Sequence, residues 1–420
     1  MRRIYTFFIW LLGGLIGLLS FFNRKARLRY RGQKEALFRL SQARKQWQKP
    51  VIWFHAASLG EFEQGRPVWE CILNQHPHFQ LIITFFSPSG YEVRQHYSDF
   101  GAQVFYLPLD TPAKARRFLD LAQPQAAFFI RYEFWFNFLH EIQSQKIPLF
   151  LISALFRPGQ WFFKPYGSWF RKILSGFSQI FVQNEASAHL LQGLGLTNVQ
   201  TTGDTRFDRV MATVQTSEKV PLVQAFKKQS LLLVVGSCWG RDLDLLLPFL
   251  KQFTRPLKVI LAPHEIEERT LQRIEHFFPG QTCRFSLAQQ ETNPDLSAYN
   301  FLLVDNVGWL ARIYREADIA YVGGAFGEGL HNILEPAAFG APVLFGPQYQ
   351  AFAEAVALIE AGGAFSVSSQ DQLAKVFDRL YQQETLRFQI QEINRAFVRR
   401  EAGGSQKIAN FFFQYLNNTA

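Results

Sequence analysis

Cysteine is scarce: Cys71, Cys238 and Cys283 are the only three in 420 residues and stand far apart. An odd, widely spaced set excludes a disulfide framework and a paired-ligand zinc site, and it fits a reducing compartment. Charge is thin as well, at 19% of the chain against 48% hydrophobic residues. That balance excludes a disordered chain and a coiled coil. Only one run is apolar enough to cross a bilayer, and it lies at the N-terminus, which excludes a polytopic membrane protein. No repeat of fixed period occurs, and no G-x-S-x-G elbow. No His/Asp/Glu cluster has metal-ligand spacing, so no metal is expected and the nine histidines read as structural.

What is present begins with size and sign. A chain of 420 residues predicts two domains. Lys and Arg outnumber Asp and Glu by 44 to 34, and a net charge of +10 favours nucleic acid, an acidic membrane or a phosphorylated substrate. Phe contributes 44 residues, an excess that suits a chain working against lipid. Ile4 to Phe22 carries no charge and is followed by Arg24, Lys25, Arg27, Arg29, Arg31 and Lys34. The basic bias predicts an uncleaved anchor with the body of the protein on the cytoplasmic side. A signal peptide and a buried helix are the other readings. Gly13 and Gly17 form a small-xxx-small pair, a weak dimerisation signal. The stretch Phe156 to Lys172 mixes seven aromatics with Arg157, Lys164, Arg171 and Lys172. It reads either as an interfacial surface or as core aromatics under a loop.

Short apolar runs alternate with amphipathic stretches over the rest. Val51–His55, Leu81–Phe85, Val104–Leu107, Ala126–Ile130, Pro148–Ile152 and Ile180–Val182 predict buried parallel strands. A polar stretch from Val210 to Ser230 reads as a linker. Leu231–Val235, Lys258–Ala262, Phe301–Val304, Ile319–Val322, Val343–Phe345 and Ala364–Val367 form a second series. The expectation is an α/β protein with two doubly wound, Rossmann-like domains facing a cleft, their ligands beyond the carboxyl ends of strands.

The residues just past those strands carry the chemistry. After Val51–His55 comes Ala56-Ala57-Ser58-Leu59-Gly60-Glu61. Glu61 falls near a helix start, where the dipole favours the carboxylate. It is either a weak base helped by positioning or a first-turn Glu complementing the dipole. Arg131-Tyr132-Glu133-Phe134-Trp135 follows Ala126–Ile130 and reads as a structural ion pair or a site. In Gly203-Asp204-Thr205-Arg206, Arg206 is a natural clamp for carboxylate or phosphate, or simply the partner of a neighbouring Asp. The glycine-rich run Gly323 to Pro336 follows Ile319–Val322 and suits an anion, though it is neither a dinucleotide fingerprint nor a P-loop. Gly236-Ser237-Cys238-Trp239, Pro263-His264 and Val307-Gly308-Trp309 end three further strands.

With these residues in hand, the chain resembles the Kdo transferases, which add 3-deoxy-D-manno-octulosonic acid (Kdo) to the lipid A precursor. The resemblance rests on Ala57 to Glu61, Tyr132 to Trp135, Gly203 to Arg209 and Gly323 to Pro336. It implies a GT-B glycosyltransferase in lipopolysaccharide synthesis. An anchor would span 1–25, an acceptor domain 26–212 and a donor domain 213–420. The donor would be CMP-Kdo, with no cofactor or metal, and the acceptor the lipid A precursor at the cytoplasmic face of the inner membrane. Glu61 matches the general base, Arg206 a basic residue near the reacting centre, and Arg131 to Glu133 a polar support of the transition state. Pro263, His264, Val307, Gly308, Trp309, Asn332, Ile333, Leu334 and Glu335 match the nucleotide-binding segments. Pro263-His264 replaces a common Pro-Arg, Gly308-Trp309 a frequent Gly-Glu, Phe136 a common proline, and Ser153-Ala154-Leu155 a frequent Asn-Ala-Arg. The rival readings are a UDP-sugar transferase of the same architecture and a non-catalytic, membrane-associated nucleotide-binding protein. Nucleic acid is the weaker partner, because no recognised module appears.

Overall fold

Among the described residues, fourteen short, mostly apolar runs pair into two all-parallel sheets. The computed structural model describes residues 1–291 and 294–419. It divides into one unit of Met1–Arg209 with the C-terminal segment from Ala402, and a second of Val210–Glu401. The first sheet contains β1 (Val51–Ala56), β2 (Gln80–Phe85), β3 (Gln103–Tyr106), β4 (Pro124–Ile130), β5 (Leu149–Ala154), β6 (Gln179–Val182) and β7 (Val199–Thr201). The second contains β8 (Leu232–Cys238), β9 (Lys258–Pro263), β10 (Thr282–Arg284), β11 (Phe301–Leu303), β12 (Ile319–Val322), β13 (Val343–Phe345) and β14 (Ala364–Ser366).

Strand order is 3-2-1-4-5-6-7 in the first sheet and 10-11-9-8-12-13-14 in the second. The order reverses between β1 and β4 and again between β8 and β12. At such a reversal the connections leave in opposite directions and open a crevice beyond the carboxyl ends. The runs carrying Glu61 and Glu133 therefore flank one crevice, and those carrying Trp239 and His331 flank the other. Each unit is thus a doubly wound parallel sheet, as the alternation of apolar runs and amphipathic stretches predicts.

Sequence reading missed β7 and β10. Each has three half-buried residues at or next to a sheet edge, too short for an apolar run. The region 210–230 is not an irregular linker, because it holds helices Arg206–Thr216 and Pro221–Lys227. The division between units falls inside the first of these, at Arg209/Val210 rather than 212/213.

The C-terminal boundary also changes. Helix Gly404–Thr419 returns to the first unit, so the domain expected to run to 420 ends near 401. Ile408, Ala409 and Phe412 are buried there, and the Phe412 ring meets Phe128 at 5.2 Å and Phe150 at 5.7 Å. Much of the phenylalanine excess is core of this kind. Phe54 stacks on Phe128 at 4.4 Å and Phe128 on Phe150 at 4.9 Å, all fully buried.

The N-terminal run forms α1 (Arg2–Leu19), ending three residues before Phe22 because Ser20 caps it and Asn23 opens α2 (Arg24–Arg44). The helix is long and apolar enough to cross a membrane, yet one edge is fastened to the first unit. Arg2 donates to Asn137 (3.1 Å) and Glu141 (2.7 Å), and the Tyr5 hydroxyl to Asp110 (2.6 Å). Gly13 lies against Leu109 and Gly17 against Tyr30, so both glycines face their own domain rather than a second copy. The opposite edge exposes Phe7, Phe8, Trp10, Leu11, Leu15 and Leu18, and Phe21 and Phe22 follow in the turn. In the aromatic stretch both readings hold in part. Phe156 and Phe162 are buried, whereas Trp161 and Tyr166 are exposed.

Candidate active site

Ser58 is the N-cap of α3 (Leu59–Gln75), which places Glu61 in its first turn at the mouth of the first crevice. The carboxylate reaches back to accept from the backbone N–H of Ala57 (2.5 Å) and Ser58 (3.1 Å), and both bonds end on Oε2. The capping role therefore exists. The expectation of an ordinary, readily ionised first-turn carboxylate does not hold. Burial pushes the Glu61 pKa up to about 7, and the charge of Glu133 adds to the rise, against the two N–H groups and Arg131. Desolvation outweighs the helix terminus because only 9% of the residue is exposed. A carboxylate near 7 is a far better general base than one near 4.

Arg131 and Glu133 stand at the end of β4 beside Glu61, and they do not pair with each other among the described residues. Glu133 Oε2 accepts from the Trp135 indole N–H (2.6 Å) and lies 3.2 Å from His55 Nε2. His55 is fully buried at the end of β1, its Nδ1 bonded to Thr84 Oγ1 at 2.9 Å. Arg131 has φ +61°, a left-handed conformation that a side chain bearing a Cβ holds only under constraint. Its guanidinium lies over the Tyr132 ring at 5.5 Å, and Nε is buried without a partner. Ser153, at the end of β5, is also left-handed at φ +50°. Asn tolerates that region better than Ser does.

Arg206 is already engaged. Its guanidinium pairs with Asp204 at 2.7 Å, and Asp204 also accepts from Gln64 on α3 at 3.1 Å. Burial raises the Asp204 carboxyl, but the charge and bonds of Arg206 outweigh it and hold the pKa below the ordinary range. The local Asp–Arg pair is the geometry observed, and it is bonded to Gln64, one turn along α3 from Glu61.

In the second unit three rings form a column. Trp239, after β8, stacks on His264, after β9, at 4.4 Å, and His264 stacks on His331 at 4.3 Å. The Trp239 indole donates to His331 Nε2 at 2.8 Å. Burial and the neighbouring His264 bring the His331 pKa down to about 4, so this ring is neutral at pH 7. His264 is exposed and can meet a ligand. Asp242 ties the glycine-rich loop to the helix after β8. It accepts from the N–H of Trp239 and Gly324 (both 2.9 Å) and from the Tyr321 hydroxyl (2.8 Å). Asn332 donates to Glu335 at 3.1 Å at the rim, while Ile333 and Leu334 are buried and offer only backbone to a ligand. Val307, Gly308 and Trp309 do not join the column. Trp309 packs on Phe285 at 5.3 Å, and Pro263 is buried as the end of β9.

Sequence reading treats His55 and His331 as structural, takes Trp135 and Trp239 only as members of strand-end runs with no role of their own, and does not single out Asp242. Their only sequence signal is position, since His55, Trp135, Trp239 and Asp242 lie at or within five residues of a strand's carboxyl end and His331 lies in the glycine-rich run that follows β12. Among the described residues no group of three His, Cys, Asp or Glu side chains is placed to hold a metal ion.

The family described as "3-Deoxy-D-manno-octulosonic-acid transferase (kdotransferase)" matches residues 31–209. The chain is 27% identical over 340 residues to the 3-deoxy-D-manno-octulosonic acid transferase of Chlamydophila psittaci, covering 78% of this chain and 76% of that one. It is 29% identical over 332 residues to the enzyme of the same description from Aquifex aeolicus, covering 77% and 84%. Among solved structures, UDP-GlcNAc 2-epimerase from Neisseria meningitidis bound to UDP-GlcNAc superposes with a TM-score of 0.61 at 15% identity. That match covers 88% of this chain and 100% of the epimerase, and it bears on the fold alone.

Proposed function

From the Kdo transferase domain at residues 31–209 and kinship with curated Kdo transferases over most of the chain, we propose that this protein transfers Kdo from CMP-Kdo to a lipid A precursor. The observation that carries the mechanism is the carboxylate of Glu61, raised to about 7 at the switch point of the first sheet. Oε1, which receives neither capping bond, takes the proton of an acceptor hydroxyl. The freed oxygen attacks the anomeric carbon of Kdo, and the bond to the phosphate oxygen breaks with its electron pair leaving on CMP. One displacement inverts the anomeric centre. A positioned base contributes about 10²–10⁴-fold.

Arg131 places positive charge beside that base and favours the developing anion, while Arg206 reaches the site as one half of the pair with Asp204. Glu133, held by Trp135 and His55, keeps Glu61 basic through its own charge. The second unit binds the donor. The exposed face of His264 takes the nucleotide or its phosphate, and Asn332 and Glu335 take hydroxyls. No residue is assigned to a metal. The exposed edge of α1 and the cluster from Arg24 to Lys34 hold the protein to the cytoplasmic face of the inner membrane.

Incubating detergent-solubilised protein with lipid A precursor and either CMP-Kdo or a UDP-sugar, then weighing the lipid, tests the reading. A Kdo mass increment with release of CMP is expected. Transfer from the UDP-sugar, or nucleotide binding without any lipid product, would overturn it.

A further inference from the structure

Side chains alternate across a strand, so Trp53 and His55 leave β1 on the same face. The parallel register sets His55 beside Thr84 of β2, which puts the Thr84 side chain on that face too. All three residues are fully buried. Phe118, Phe129 and Phe138 surround Trp53, and Phe129 also borders His55. In such apolar surroundings each polar group has to find its partner inside the protein.

The partners form a chain with a direction. An indole N–H can only donate, and that of Trp53 takes a lone pair of Thr84 Oγ1 at 2.8 Å. The Thr84 hydroxyl then has its own proton to place, and His55 Nδ1 stands 2.9 Å from its oxygen. A neutral ring that accepts at Nδ1 carries its proton on Nε2. Nε2 faces Glu133 Oε2 at 3.2 Å, and the Trp135 indole donates to the same oxygen at 2.6 Å. Two donors converge on that oxygen and leave it no room for a proton of its own. The opposite tautomer also has its partners in place. The Thr84 carbonyl lies 3.1 Å from Nδ1, and the Trp135 indole lies 3.0 Å from Nε2. With Nδ1 protonated, Glu133 would lose one donor, share the other and face a lone pair. The Thr84 hydroxyl is what separates the two arrangements.

We propose that Thr84 fixes the tautomer of His55 and thereby keeps Glu133 charged beside Glu61. Thr84 and His55 are then positioning residues, and the inference rests on Glu61 being the base of the transfer described above. The charge of Glu133 is one of the causes that raise Glu61. The other charged or titratable groups around the two carboxylates are Arg131 at the end of β4, Tyr5 on α1 and, beyond Phe86, Arg29 on α2.

The first test needs no substrate. In the full chain in neutral detergent with isotope-labelled histidine, proton–nitrogen correlation spectra read which nitrogen of each ring is protonated. The signal that disappears in His55→Gln belongs to His55. Wild type and Thr84→Ser should show it protonated on Nε2 alone, and Thr84→Val on Nδ1. A wild-type ring protonated on Nδ1 alone or on both nitrogens would overturn the proposal, as would an unchanged tautomer in Thr84→Val. The second test is the pH profile of kcat/KM with CMP-Kdo and lipid A precursor. In Thr84→Val the acid limb should move to lower pH by about half a unit or more, because Glu61 loses a charged neighbour. Thr84→Ser keeps the hydroxyl and should restore the wild-type limb. The valine variant also strips the Trp53 indole of its acceptor, but that structural cost lowers activity at every pH alike. A uniform loss with the limb in place would therefore overturn the proposal. Wild type with the Nε2 tautomer but without turnover would sink the transferase reading and leave the His55 assignment standing.

Discussion

Replacing Glu61 with Gln should abolish transfer and, above neutral pH, make the first unit more stable. Burial moves this carboxyl from an ordinary 4.5 to about 7. A gap of that size at ~1.4 kcal/mol per unit amounts to about 3 kcal/mol. The raised value means that the folded state favours the protonated form. Its contribution is fully present below pH 4.5 and is lost as pH rises through about 7, beyond which the buried charge is a burden. Gln is neutral throughout, and its amide oxygen can still accept from Ala57 and Ser58, because both bonds already end on one oxygen. The stability difference between variant and wild type should therefore be small at pH 5, grow up to pH 8 and then level at about 3 kcal/mol. For a unit of this size that corresponds to roughly 6–12 °C in Tm. Thermal unfolding in detergent across that range measures it. Wild-type kcat/KM should rise about tenfold per pH unit below about 7 and flatten above it. A stability difference that does not change with pH, or near-normal turnover in the variant, would refute the reasoning.

Arg131→Gly should relieve the left-handed backbone and stabilise by about 1 kcal/mol. It also removes a positive charge that lowers the Glu61 pKa, so the acidic limb of the pH–rate profile should move to higher pH. Asp242→Ala strips the acceptor from three donors and should cost about 3 kcal/mol or more by denaturant unfolding, with loss of CMP binding. His331→Phe keeps a ring in the column but loses the acceptor of the Trp239 indole. CMP affinity by calorimetry should fall about tenfold. Gly13→Val drives a side chain into Leu109 and should lift α1 from its seat, read as a lower Tm in detergent.

The central strands were legible because a buried parallel strand is a continuous apolar run, and β1, β4, β5, β8 and β12 all have that form. β7 and β10 were not, since Val199–Thr201 and Thr282–Arg284 bury too little to leave a pattern. The return of Gly404–Thr419 to the first unit was hidden for a different reason. Its buried residues fit any helix-on-sheet surface, and nothing local says which sheet. Glu61, Glu133 and His264 could be singled out because strand-end position alone selects them. What each does there depended on neighbours distant in sequence. Desolvation reversed the expected acidity of Glu61, Asp204 occupied Arg206, and Phe285 drew Trp309 away from the ring column.

The fastening of α1 has a kinetic consequence. A helix tied down by Arg2, Tyr5 and two glycines cannot act as a loose tether from which the catalytic body swings. If that exposed edge lies in lipid, as proposed above, the first unit rides at a fixed height and tilt, and Glu61 sweeps a plane parallel to the surface. Encounter with the proposed lipid acceptor would then be a two-dimensional search. Turnover on mixed micelles should then follow the mole fraction of acceptor in the surface, and adding detergent at constant bulk acceptor should slow the reaction by dilution within the surface.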